Sequence, residues 1–104
     1  MASELSIASE LILKFFELDE GERQFLSDIT ENQSEIEALL SRRIGEMLKD
    51  EMEALINAMY RIDVSEIAFH EAMAHDDRAD RIAQLVVERL IQKAKTRIWY
   101  RENS

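Results

Sequence analysis

The stretch Ser34-Glu35-Ile36-Glu37-Ala38-Leu39-Leu40-Ser41-Arg42-Arg43-Ile44-Gly45-Glu46-Met47-Leu48-Lys49 sets the fold class. It opens with the S-x-x-E spacing of a capping box, in which two side chains satisfy free backbone N–H groups at a helix start. Ile36, Leu39, Leu40, Ile44 and Met47 then recur at helical intervals and form one apolar stripe. The spacing predicts a helix over 34–49. Arg43 falls inside that stripe, within a small rotation of Ile36. Gly45 lies mid-helix on the opposite side, where glycine costs about 1 kcal/mol relative to alanine. Two readings of Gly45 stand: close approach of a second helix, or a neutral solvent face.

Outward from this helix the same pattern repeats. Leu5, Ala8, Leu11, Ile12, Phe15 and Phe16 predict a first helix over 4–18, which Asp19-Glu20-Gly21-Glu22 breaks. Phe25, Leu26 and Ile29 suggest a further short helical piece. Asp50 with Glu53 reads as a second start signal, ahead of Met52, Leu55, Ile56, Met59 and Tyr60. Asp63 with Glu66 opens a helix running to about 75, and Asp77 with Asp80 opens the longest, about 78–100. A single helix through 51–75 is the alternative. The apolar phase shift near Ile62-Asp63-Val64 speaks against it.

Composition agrees. The chain has 104 residues, no proline and only two glycines. A β-sandwich or barrel needs turn residues every 8–12 positions or so, and they are absent. The expectation is all-α: one domain over 1–104, a compact bundle of four or five helices with a long C-terminal helix. Residues 1–30 form a candidate semi-independent helical arm. Leu85, Val86, Leu90, Ile91 and Ile98 spread around more than one side of the last helix, so it is expected to be central or at an interface.

Several function classes are excluded or disfavoured. Without cysteine there is no disulfide, thiolate metal site or cysteine nucleophile. No apolar run approaches the ~18 residues of a membrane span. Met1 to Leu13 carries two acids and no base, unlike the basic start of a secretory signal, and the expected location is cytoplasmic. No phosphate-cradling glycine loop and no H-E-x-x-H is present. Glu66/His70 and Glu71/His75 have i, i+4 spacing, where a di-iron bundle needs Glu-x-x-His. No cofactor or metal is expected, and no catalytic residues are assigned.

Two constellations remain. Glu71 and His75 fall on the face that carries Val64, Ile67 and Ala68, so with Arg43 they form a candidate buried polar cluster: an Arg43–Glu71 ion pair with His75 hydrogen-bonded nearby. Buried charges need partners. Three readings compete: an arginine that snorkels while His75 caps a helix end, a structural register device, and a ligand or enzyme site built on Arg43, Glu71 and His75. The second constellation is a basic stripe, Arg89, Lys93, Arg97 and Arg101, with Trp99 and Tyr100 among it. Such stripes bind nucleic acid. They also suit a helix C-terminus.

The net charge of −9 disfavours nucleic acid and anionic membrane as partners. It also hides an asymmetry. Residues 1–33 carry eight acids and two bases, and residues 78–104 carry three acids and seven bases. A surface bearing both signs can pair with itself across a two-fold axis. The leading expectation is a non-enzymatic protein–protein interaction module that self-associates as a homodimer. The alternatives are nucleic-acid binding through the basic helix and a small ligand site. The four methionines at Met47, Met52, Met59 and Met73 read as core filling or as an adaptable surface.

Met59-Tyr60-Arg61-Ile62-Asp63-Val64-Ser65-Glu66, followed by Val87-Glu88-Arg89-Leu90-Ile91-Gln92-Lys93-Ala94-Lys95-Thr96-Arg97, resembles a pattern in small uncharacterised bacterial α-helical proteins. The resemblance covers roughly the last half of the chain. It implies a bacterial source and carries no activity.

Overall fold

The computed structural model describes residues 3–103. They form six α-helices: α1 (Glu4–Phe15), α2 (Glu20–Asp28), α3 (Gln33–Asp50), α4 (Met52–Ile62), α5 (Glu66–Met73) and α6 (Arg78–Asn103). The count exceeds the expected four or five because the supposed breaker at 19–22 is itself a helix start. The Asp19 carboxylate accepts from the Glu22 N–H at 2.7 Å, and the Glu22 carboxylate accepts from the Asp19 N–H at 2.9 Å. This reciprocal capping box begins α2. It is the S-x-x-E logic in an Asp/Glu version.

The other starts also shift by a residue or two. α3 is capped by Asn32, whose side chain accepts from the Glu35 N–H, and not by Ser34. α4 follows α3 through the single residue Glu51, with no side-chain cap. Asp50 is the last residue of α3, so it cannot serve as a cap for Glu53. Asp63 closes α4 instead of opening α5, and Ser65 caps α5 through the Ala68 N–H. These one- and three-residue connections force each helix to turn sharply onto its neighbour.

α6 is the organising element. It packs against α1, α3 and α5 and touches α4. Ile82, Ala83, Val86, Val87, Leu90 and Ala94 are buried along it, and the alanines let neighbouring backbones approach. α3 contributes Ile36, Leu40, Ile44 and Met47 to the same core, α4 contributes Leu55, Ala58, Met59 and Ile62, and α1 contributes Ile7, Ala8, Leu11 and Ile12. The methionines fill this core: Met47 and Met59 are buried, and Met52 and Met73 pack against it. The buried Ser41 hydroxyl donates to the Asp80 carboxylate, joining α3 to the first turn of α6. Gly45 faces the same turn. A Cβ added there would meet the Ala79 Cβ at 4.0 Å, an ordinary contact. Among the described residues no helix is long and apolar enough to cross a membrane.

Candidate interaction surfaces

Arg43 is buried in the middle of α3. Its Nε donates to the Glu17 carbonyl at 2.7 Å, and Nη1 and Nη2 donate to the two Glu51 carboxylate oxygens at 2.8 and 3.2 Å. The fork geometry suits arginine. It ties the α1–α2 linker to the α3–α4 junction. The hydrogen bond from Arg43 holds the Glu51 carboxyl below its ordinary range, against the opposing effect of desolvation. The same bond raises the Arg43 guanidinium still further above neutrality.

The expected Arg43–Glu71–His75 cluster does not form. Glu71 and His75 are exposed, and they border a shallow depression with Arg81, Gln84 and Glu88. The physical reason is the phase of α5. Its inward residues are Phe69, Ala72 and Met73, at i, i+3, i+4. The face that carries Ile67, Glu71 and His75 looks outward, and Ile67 itself is 75% exposed. α5 also ends at Met73, so His75 lies in the following turn, where its carbonyl accepts from Arg78 Nε. Among the described residues no three His, Asp or Glu side chains are grouped to hold a metal ion.

The α4–α5 turn builds a surface that sequence reasoning missed. Asp63 adopts φ 66°, ψ 49°, the left-handed region that Asp tolerates better than most residues. The Asp63 N–H reaches the Tyr60 carbonyl and the Val64 N–H reaches the Met59 carbonyl, the paired bonds of a Schellman motif. The chain reverses there and opens a groove of about 520 Å³ between the two helices. Ile56, Met59, Tyr60 and Phe69 line it, with His70 beside them and Asp63 and Glu66 on its rim. Tyr60 is 79% exposed and Ile56 46%. The only hint in the sequence is the phase shift at Ile62-Asp63-Val64.

α6 carries the second surface. Arg89, first of the expected basic stripe, is engaged: Nε donates to the Asp63 carbonyl at 3.2 Å and Nη2 to its carboxylate at 3.4 Å. It therefore braces the turn that makes the groove. Lys93 is half-buried, and Arg97 and Arg101 are exposed. A spacing of four advances about 40° per step on a helix. The stripe therefore winds around α6 by about 120° from Arg89 to Arg101 and makes no flat basic face. Trp99 and Tyr100, in edge contact at 5.1 Å, are 58% and 63% exposed.

Compared with family profiles, curated proteins and solved structures, the chain gives no match.

Proposed function

We propose that this chain is a non-enzymatic helical interaction module that associates with copies of itself. One observation carries the reading: large apolar side chains stand exposed in two clusters although the core is complete without them. Tyr60 and Ile56 line the α4–α5 groove, and Trp99 and Tyr100 occupy the end of α6, while Leu13, Phe25 and Ile67 stand exposed singly elsewhere. Scattered exposed apolar residues are normal, but clusters of them with a polar rim mark contact surfaces. Tyrosine and tryptophan are the residues most enriched at such contacts. Nucleic acid is the weaker partner for α6, because Arg89 is engaged with Asp63 and the whole chain carries −9.

Trp99 is the only tryptophan, so its fluorescence reports on the α6 surface without labelling. The emission maximum should lie to the blue at high protein concentration and move to the red on dilution as Trp99 returns to water. A water-exposed spectrum unchanged across the micromolar range would sink the proposal.

A further inference from the structure

We infer that the C-terminal end of α6 docks reciprocally into the α4–α5 groove of a second copy of this chain, closing a two-fold dimer whose axis passes beside Ala94 and Lys95. This rests on the self-association proposed above and goes beyond it by naming both contacting surfaces.

Ala94 is the last fully buried residue of α6. The helix nevertheless runs on to Asn103, and of these nine residues only Ile98 packs against the core. They span about 13 Å at 1.5 Å per residue. A helix end of that length has little stability of its own, and this one carries two exposed aromatics. It cannot fill its own groove. Arg89 touches Asp63 at the groove's edge, and Tyr100 lies eleven residues further along the unbroken helix, about 16 Å away along the axis.

The direction is nevertheless right. Eleven residues of α-helix bring Tyr100 within about 20° of the direction of Arg89, and Lys93 within about 40°. Both therefore look out on the groove side. In an antiparallel pair related by an axis beside Ala94 and Lys95, residue 100 of one copy stands level with residue 89 of the other. The same rotation sets the second end against the first groove, so the contact closes on itself.

The chemistry matches. The groove's Ile56, Met59, Tyr60 and Phe69 offer an apolar floor to the Tyr100 ring. Its acids Asp63 and Glu66 are opposite in sign to Lys93 and to the long side chain of Arg97, which leaves α6 about 80° round from Arg89, one turn before Tyr100. One Asp63 oxygen is already taken by Arg89, but the Glu66 carboxylate makes no hydrogen bond or ion pair among the described residues. Complementary charge around an aromatic anchor is the usual layout of a specific contact. A second groove, between α2 and α3, also has acids, but its Asp19 and Glu22 are engaged in the capping box and Arg42 sits within it.

The test is a charge exchange read by sedimentation equilibrium on the full chain, with far-UV circular dichroism confirming that each variant folds. Glu66→Arg reverses the groove and Arg97→Glu reverses the helix end. In either homodimer both contacts set like charges together, and dissociation should be on the order of 100-fold easier. Mixed one to one, each reversed groove meets a reversed helix end and each native groove meets a native one. The mixture should therefore restore a dimer close to the native affinity. Native-like dimers of both single variants would overturn the inference while leaving self-association standing. A mixture that stays monomeric overturns it too, as does rescue of Arg97→Glu by Glu35→Arg, which would move the contact to the α2–α3 groove. Masses above the dimer would replace reciprocal closure with an open chain. A native protein that never associates removes both this inference and the reading beneath it.

Discussion

Replacing Arg43 with methionine should lower stability by about 2 kcal/mol. The substitution keeps an unbranched apolar stem in the α3 stripe and deletes three hydrogen bonds. Their contributions differ. The Glu51 side chain is 40% exposed, so solvent screens that pairing and its loss counts for little. The bond to the Glu17 carbonyl is short, charge-assisted and made by a side chain that is 10% exposed. Bonds of that kind contribute about 1.5–3 kcal/mol. Relief of guanidinium desolvation offsets part of the loss, which brings the net to about 2 kcal/mol. For a domain near 100 residues that is a fall in melting temperature of about 10 °C. Urea unfolding followed by circular dichroism gives the difference directly, with Glu51→Gln expected to cost less than Arg43→Met. A change below ~0.5 kcal/mol, as exposed sites give, would refute the view that Arg43 clamps the N-terminal linker to the α3–α4 junction.

Two further outcomes follow from the same structure. Gly45→Ala should stabilise the chain by about 0.5–1 kcal/mol through helix propensity, because the added methyl meets Ala79 at 4.0 Å without a clash; a loss in urea unfolding would mean that α3 and α6 tolerate no added volume there. Acid should also weaken the Arg43 clamp. Glu51 is depressed in the folded state, so its contribution is complete above the ordinary carboxyl value of 4.5 and disappears as pH falls through the lower folded value. Stability measured between pH 7 and pH 3 should therefore fall less steeply in Arg43→Met than in the native chain, and parallel curves would exclude the linkage.

The helices were legible wherever the apolar stripe was long. α3 and α6 are the clear cases, because their lengths allow several turns of periodicity. α2 was legible only as a short piece around Phe25, Leu26 and Ile29, and its start was hidden because Asp19 and Glu22 read as a charged break until their reciprocal hydrogen bonds are seen. The polar cluster failed for a different reason. α5 has eight residues, barely two turns, and a pattern that short does not separate its inner face from its outer one. Ile67 and Ala68 suggested one side, while Phe69, Ala72 and Met73 pack on the other. Arg43 itself was correctly placed inside the stripe. Its partner Glu51 was missed because the ion pair depends on the one-residue turn between α3 and α4, and no periodicity encodes that turn. The α4–α5 groove was illegible for the same reason: a left-handed Asp63 creates it, and a lone aspartate between two helical patterns reads equally well as a helix start. The basic stripe was seen residue by residue, but its winding and the diversion of Arg89 onto Asp63 are properties of the assembled helices.

Sedimentation equilibrium of the native chain at low and high salt bears most directly on self-association through these two surfaces. The expected result is a dimer at micromolar concentration that weakens as salt screens the acidic rim from the basic helix end. A monomer at both salt concentrations would contradict it, leaving Tyr60, Trp99 and Tyr100 as exposed side chains without a common role.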